Sequence, residues 1–293
     1  MRTPIASIAA MASVLAASWL PSSALAQPAA PVEAVTFQSA DAKTRLVGYV
    51  FRAATTSAAP LPAVVMMHGR AGAYSSLAHG VYTASTLSKR HKFWGELLAA
   101  NGYVAILVDG FGPRGYPKGF PAHSYDERPA ELDEVEIRPL DAYGALAYLR
   151  TRADVQKDHV ALLGWSNGGS AALSTMSIDT PGIARPASAS GFRGALVFYP
   201  ACGLKGKFDS GYRPYAPVRV FMGAADEEVS PKRCARLVER SRSSGGDIDI
   251  TLYPGATHGF DDPSRKRSRV DANVDATDDA VPKALKFLVE RLQ

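Results

Sequence analysis

Residues 160–170 read VALLGWSNGGS and constrain the fold of this 293-residue chain more than any other segment. Four apolar residues open it and predict a buried strand, and the run AAL at 171–173 is compatible with a helix. Between them, residues 164–168 read GWSNG and predict a sharp turn. A strand, a tight turn and a helix in this order predict an α/β fold with a mostly parallel central sheet and helices on both faces.

The pattern Gly-x-Ser-x-Gly at such a turn predicts a nucleophile elbow of the α/β-hydrolase kind, with Ser166 as the nucleophile. The backbone is strained at the central residue, so Gly164 and Gly168 must leave room on either side. The backbone N–H of Asn167 would then point at a tetrahedral oxyanion. On this segment alone, a small-residue turn without chemistry is the alternative interpretation.

An acid and a base follow two later strands. Asp226 lies just past an apolar run at 218–222, and His258 lies just past a run at 247–253. The order Ser, Asp, His is that of the α/β-hydrolase triad, in which His258 would be the general base and Asp226 would orient it. Glu227 and Glu228 are rival acids, and Asp226 has the alternative role of capping a helix that begins near residue 231.

A second oxyanion donor is predicted after the apolar strand at 63–67, which runs into His68-Gly69-Arg70. A backbone N–H supplied from this turn would face the elbow, and we assign it to Arg70. The side chain of His68 is better explained by a structural, hydrogen-bonded role.

Further strands are predicted at 103–108 and 194–199, a hairpin at 35–51 and a closing helix at 283–292. The length fits one large domain of this architecture. The formal charge is +5, yet the densest basic cluster, residues 265–269, is followed at once by four aspartates up to residue 279. We interpret 265–279 as a solvated, self-neutralising loop, and we predict no nucleic-acid partner.

The N-terminus reads as a secretory signal peptide. One positive charge, an apolar alanine-rich stretch and a small-residue site ending at Ala26 predict cleavage after that residue. Residues 27–34 would be a linker and 35–293 the domain, in the periplasm or outside the cell and without stable membrane insertion after cleavage. An uncleaved membrane anchor is the alternative, although the apolar stretch is short for a span.

The chain has two cysteines, Cys202 and Cys234. In an oxidising compartment they would form a disulfide, which would restrict the unfolded chain by roughly 3 to 4 kcal/mol in the entropic account. Two buried thiols are the alternative.

Candidate substrate contacts come from positions beside the motifs: Trp165, Tyr199 and Phe260 as pocket walls, or alternatively as core. Arg114 would contact an acidic substrate group, or be a solvated loop charge. No metal ligand set and no cofactor are predicted, because the six histidines lack ligand spacing with cysteines or acids. The oligomeric state is open.

Five motifs together resemble the dienelactone hydrolase family of α/β-hydrolases. They are MMHG at 66–69, VDGF at 108–111, GWSNGG at 164–169, GAAD at 223–226 and YPGATHGF at 253–260. The resemblance implies the nucleophile, acid and base positions for Ser166, Asp226 and His258. It also makes Arg114 the nearest counterpart of an arginine that binds the substrate carboxylate in the family.

The chain departs from that family at two positions. Dienelactone hydrolases proper have a cysteine at the position of Ser166, and a glutamate near Gly69 that accompanies the thiol. Serine favours ordinary carboxylic esters, so we predict an exported serine hydrolase of small-molecule esters or lactones. The alternatives are a peptidase or acyltransferase on the same triad, and a binding relative without activity.

Overall fold

The computed structural model describes residues 30–54 and 59–293. The predicted signal peptide and residues 27–29 of the predicted linker lie outside the described residues. The first strand begins at Glu33, so two residues of the predicted linker belong to the sheet. No helix in the described part of the chain combines the length and apolar character needed to cross a bilayer.

In the part of the chain that the structure describes, eight strands form one sheet in the order β1-β2-β4-β3-β5-β6-β7-β8. Their bounds are β1 Glu33–Gln38, β2 Arg45–Phe51, β3 Leu61–Met67, β4 Val104–Asp109, β5 Val155–Trp165, β6 Ala195–Phe198, β7 Val218–Gly223 and β8 Ile248–Tyr253. The hairpin of β1 and β2 is antiparallel, and β2 also pairs antiparallel with β4. The other neighbours are parallel, so the loops that follow β3 to β8 all leave the same edge of the sheet.

Within the described residues, five α-helices accompany the sheet: α1 Lys89–Ala100, α2 Arg138–Thr151, α3 Asn167–Met176, α4 Pro231–Ser243 and α5 Asp271–Leu292. Strands β3, β4 and β6 are buried along almost their whole length, as the continuous apolar runs predicted. All ten residues of α3 are buried as well, because α3 packs against β5, β6 and α2. The prediction of a mostly parallel α/β sheet is confirmed.

The closing helix is longer than predicted. Helix α5 begins at Asp271, so the acidic segment that we interpreted as a solvated loop is helical. Ala276 and Ala280, one helical turn apart, are buried and anchor that half of the helix, while its aspartates face outward. Pro282 lies inside the helix. Because proline is unfavourable in a helix interior, the sequence pattern did not predict a continuous helix across this position.

Candidate active site

The elbow lies at the carboxyl edge of the sheet, where β5 ends and α3 begins. Ser166 has φ 52° and ψ −117°, a strained conformation for a residue with a side chain. A Cβ on Gly164 would collide with the carbonyl oxygen of Gly168, and one on Gly168 would collide with that of Met67. These close approaches explain why the turn requires glycine on both sides of the serine.

Ser166, His258 and Asp226 form one hydrogen-bonded row. His258 Nε2 lies 3.0 Å from Ser166 Oγ, and His258 Nδ1 lies 2.8 Å from Asp226 Oδ2. The second oxygen of Asp226 accepts hydrogen bonds from the backbone N–H groups of Glu228 and Val229, both at 2.9 Å. With Asp226 as the acceptor, the Nδ1 proton is fixed and Nε2 faces the serine hydroxyl as an acceptor.

The two rival acids have other partners. Glu227 accepts the backbone N–H of His258 at 2.9 Å and forms an ion pair with Arg267 at 2.8 Å. Burial alone would raise the pKa of Glu227, but these hydrogen bonds prevail and lower it to about 2. Helix α4 is capped by Ser230, so Asp226 does not cap that helix.

Glu228 is the third carboxylate of the loop and lies nearer the serine side of His258. Its Oε2 is 3.7 Å from His258 Nε2, and both its oxygens accept hydrogen bonds from the Arg70 guanidinium at 2.7 and 2.8 Å. Burial opposes ionisation of Glu228, yet Arg70 and the charge of His258 keep the pKa of Glu228 below its ordinary value. The sequence alone gave no sign of this ion pair, since its members are 158 residues apart.

The backbone N–H groups of Arg70 and Asn167, which we predicted as oxyanion donors, have no hydrogen-bond acceptor among the described residues. The loop that carries Arg70 touches the elbow, because a Cβ on Gly69 would lie 3.4 Å from Ser166 Cβ. Asn167 is the first residue of α3, where the helix dipole favours negative charge. Both are therefore available to a developing oxyanion.

His68 has the structural environment that we expected. Its side chain is fully buried, with Nδ1 2.7 Å from the carbonyl oxygen of Gly69 and Nε2 accepting the N–H of Gly110 at 3.3 Å. Burial lowers the pKa of His68 well below its ordinary value, and the charge of Arg138 acts in the same direction.

The four tentative substrate contacts lie away from the cavity beside Ser166, which corrects that interpretation. Arg114 donates two hydrogen bonds to Asp141, both at 2.8 Å, and a third to Asp41 at 3.1 Å. Nη1 also donates to the carbonyl oxygen of Gly110 at 2.8 Å, so both terminal nitrogens of Arg114 are engaged by groups of the protein interior.

Trp165, Tyr199 and Phe260 are core residues, each at most 2% exposed. The indole N–H of Trp165 donates to Asp261 at 2.8 Å, and the Tyr199 hydroxyl donates to the same carboxylate. The Tyr199 ring packs edge-on against His258 with centroids 4.8 Å apart. These residues support the site from behind and do not line it.

The cavity in front of Ser166 has a volume of about 550 Å³. Charged and polar side chains occupy much of its wall; among them are Arg70, Tyr125, Arg128, Glu134, Lys205 and Arg233. Most of them lie on connecting segments whose shape the sequence does not reveal, whereas Arg233 lies in the first turn of α4. Apart from the backbone of Arg70, none of them was predicted from the sequence. No cluster of three or more potential metal-binding side chains occurs within residues 30–54 and 59–293.

Cys202 and Cys234 form a disulfide, as predicted for an oxidising compartment. Cys202 lies in the loop after β6 and lines the cavity, whereas Cys234 is in the first turn of α4. The bridge therefore ties one wall of the cavity to a helix.

A serine on a strained turn after the central strand, with a histidine and an aspartate after later strands of the same sheet, defines an α/β-hydrolase. The model of the dienelactone hydrolase family matches residues 48–292. The chain belongs to the dienelactone hydrolase family, and it is a carboxylic ester hydrolase.

A probable 2-oxo-3-(5-oxofuran-2-ylidene)propanoate lactonase from Bradyrhizobium sp. is 28% identical over 174 residues, which are 59% of this chain and 68% of that protein. A dienelactone hydrolase-like promiscuous phosphotriesterase from metagenomic libraries superposes with a TM-score of 0.64 at 17% identity, over 89% of this chain and 99% of that one. Esterase 2 of Thermogutta terrifontis gives 0.62 at 19% identity, over 88% and 94%. The two solved structures share the fold.

Proposed function

We propose that this chain is an exported serine hydrolase that cleaves carboxylic esters or lactones through an acyl-enzyme on Ser166. The observation that carries the proposal is the unbroken row from Asp226 Oδ2 through the His258 imidazole to Ser166 Oγ, with contacts of 2.8 and 3.0 Å. Export is supported by the composition of residues 1–26 and by the disulfide.

In acylation, Ser166 Oγ attacks the carbonyl carbon while His258 Nε2 takes the hydroxyl proton. The negative charge moves to the carbonyl oxygen, which receives hydrogen bonds from the N–H groups of Arg70 and Asn167. The imidazolium is stabilised by Asp226 and returns its proton to the leaving alkoxide, so that the alcohol departs and the acyl group stays on Ser166. A water molecule deprotonated by His258 then repeats the sequence and releases the acid.

The charges of the cavity favour a substrate that carries a carboxylate of its own. Of four cations on the wall, Arg70 is paired with Glu228 and Lys205 with Asp133. Arg128 and Arg233 form no ion pair within 4.0 Å with any described residue.

Both unpaired arginines are held by packing. The Arg128 guanidinium lies over the Tyr125 ring at 5.2 Å, and that of Arg233 lies against Gly203. Burial lowers the pKa of Arg128, which means that the charged guanidinium is destabilised by loss of hydration. A bound anion would offset this unfavourable free energy. The name of the Bradyrhizobium relative describes a lactone with a propanoate group, which agrees with an acidic substrate.

Hydrolysis of 4-nitrophenyl acetate, butyrate and octanoate by the mature chain tests the reaction, with Ser166→Ala beside it. We expect activity in the wild type, a loss of at least about a thousandfold in the variant, and a profile that favours short acyl chains. Equal background rates in both proteins would contradict the esterase proposal. They would leave a peptidase, an acyltransferase or a binding relative as the interpretation.

The acidic substrate has its own test. Mono-4-nitrophenyl adipate and 4-nitrophenyl hexanoate have acyl chains of equal length, and only the first ends in a carboxylate. We expect a higher kcat/KM for the adipate, a preference that falls with added salt and in Arg128→Gln and Arg233→Gln. A wild-type preference for the hexanoate would contradict this choice of substrate and leave the esterase proposal intact.

A further inference from the structure

Arg138 is a fully buried arginine at the first position of α2, next to the elbow. Its Nη1 donates two hydrogen bonds, to the carbonyl oxygen of His68 at 2.8 Å and to Asn167 Oδ1 at 2.5 Å. His68 lies two residues before Arg70. One nitrogen atom therefore joins the two segments whose backbone N–H groups face Ser166.

The rest of the guanidinium gains little from its surroundings. No carboxylate of the described chain lies within 4.0 Å of Arg138, and its Nε and Nη2 have no acceptor among residues 30–54 and 59–293. The Phe111 ring lies beneath it at 5.0 Å. Arg114, from the neighbouring loop, shows the contrast, because it is bound in bidentate fashion by Asp141.

A buried, unpaired cation is costly, and well-packed apolar residues at such positions are often more stable. Burial lowers the pKa of Arg138 to about 10, against the charges of Asp141 and Glu134, so the group is still charged at neutral pH. The charge and the two hydrogen bonds act on the two oxyanion segments, while an ion pair that would offset the cost is absent from the described residues.

We infer that Arg138 is a positioning residue: it fixes the spacing of the Arg70 and Asn167 N–H groups and places a positive charge behind the oxyanion. Asn167 is held from its other side too, since its Nδ2 donates to Glu134 at 3.0 Å. The side chain of Asn167 is thus hydrogen-bonded to Arg138 at one end and to Glu134 at the other. We infer that these two contacts also restrain the orientation of the Asn167 peptide group. The inference rests on the proposed function.

Arg138→Met removes the charge and both hydrogen bonds at similar volume, and Arg152→Met is the matched control. Arg152 caps the other end of α2 and pairs with Asp154 on the far side of the domain. For Arg138→Met we expect kcat for 4-nitrophenyl butyrate to fall about tenfold to a hundredfold, with KM within about threefold. Arg152→Met keeps wild-type kcat, and Arg138→Lys recovers part of the loss because it retains the charge.

Binding of phenylboronic acid, which forms a tetrahedral adduct with an active-site serine, separates positioning from a general loss of structure. We expect its affinity for Arg138→Met to weaken by about the same factor as kcat, while the affinity for the product butyrate is unchanged. A folded Arg138→Met variant with wild-type kcat, or with losses confined to KM, would overturn the inference.

Asn167→Ala serves if Arg138→Met does not fold. It removes the Oδ1 end of the bridge and keeps the backbone N–H, and we expect a fall in kcat of about fivefold or more without a matching change in KM. Wild-type kcat in Asn167→Ala would overturn the inference as well. A wild-type enzyme without Ser166-dependent hydrolysis would contradict the proposed function first, whereas an active wild type with insensitive variants would contradict the inference alone.

Discussion

Two loops at the carboxyl edge of the sheet begin with aspartates that have the same local geometry. Asp109 Oδ1 accepts the N–H groups two and three residues ahead, at 3.2 and 2.8 Å, and Asp226 Oδ1 does so at 2.9 and 2.9 Å. The remaining oxygen makes the difference. Asp109 Oδ2 accepts the Tyr74 hydroxyl at 2.8 Å, whereas Asp226 Oδ2 lies 2.8 Å from His258 Nδ1.

The histidines near the two loops differ in the same sense. His68, 3.9 Å from Asp109, is fully buried, whereas His258 is 6% exposed and its Nε2 lies 3.0 Å from Ser166 Oγ. Burial raises the pKa of Asp109 in spite of its hydrogen bonds. The same aspartate turn therefore stabilises a loop at Asp109 and orients a base at Asp226. The partner of the Oδ2 atom alone makes this difference.

The sharpest contrast comes from the pair Asp226→Asn and Asp109→Asn. We expect Asp226→Asn to lower kcat about a thousandfold to ten-thousandfold, because the amide no longer stabilises the imidazolium or fixes the tautomer. In Asp109→Asn the amide oxygen still accepts the two backbone N–H groups, so we expect kcat to stay within about threefold of the wild type. We expect the free energy of unfolding to change by about 1 kcal/mol. Steady-state kinetics and urea unfolding of both variants measure this, and comparable losses of kcat would contradict the distinction.

Glu228→Gln tests a feature that belongs to the second loop alone. The Glu228 carboxylate lies 3.7 Å from His258 Nε2, where it stabilises the imidazolium that forms during the reaction. We expect kcat/KM at neutral pH to fall roughly threefold to tenfold in the variant, because this stabilisation is lost.

Glu136→Gln is the control for Glu228→Gln, since Glu136 is an exposed partner of Lys207. We expect Glu136→Gln to leave kcat/KM unchanged. A Glu228→Gln variant with the kcat/KM of the wild type would show that the carboxylate does not act on the base.

The last prediction concerns the pH dependence of stability in the interior near the first loop. Burial lowers the pKa of His91 to about 4. Between pH 6.5 and 4, His91 binds a proton in the unfolded chain and stays neutral in the folded chain. Its contribution to the free energy of unfolding is therefore fully present above pH 6.5 and decreases as the pH falls towards 4.

His91→Gln should flatten this dependence by at most about 1.4 kcal/mol per pH unit, because one titrating group is removed. Urea unfolding at pH 7, 6, 5 and 4.5 measures it. An unchanged slope between wild type and variant would assign the acid sensitivity to other groups.

The sequence identified the parts of the site that local chain geometry dictates. The elbow at Ser166, the acid after β7 and the histidine after β8 follow from strand ends and small residues, and parallel strands bring those ends to one edge. Glu227 and Glu228 stayed rivals of Asp226 at that stage, since all three follow the same strand, and the structure places Asp226 Oδ2 at 2.8 Å from His258 Nδ1.

The roles of the buried polar side chains could not be predicted from the sequence, because each depends on a partner that is distant in the chain. Arg114 was predicted to contact the substrate, but it donates hydrogen bonds to Asp141 in the interior. Trp165 and Tyr199 were predicted to line the pocket, but both donate hydrogen bonds to the buried Asp261. The half of α5 before Pro282 was missed because its aspartates conceal two buried alanines in a helical period.

Covalent labelling tests most directly whether the Asp226–His258–Ser166 row activates the serine. A fluorophosphonate would be reacted with the wild type, Asp226→Asn and Asp109→Asn, and the adduct located by peptide mass spectrometry. We expect the label on Ser166, at equal rates in the wild type and Asp109→Asn and at least about a hundredfold more slowly in Asp226→Asn. Equal rates in all three proteins, or an adduct on another residue, would contradict the account.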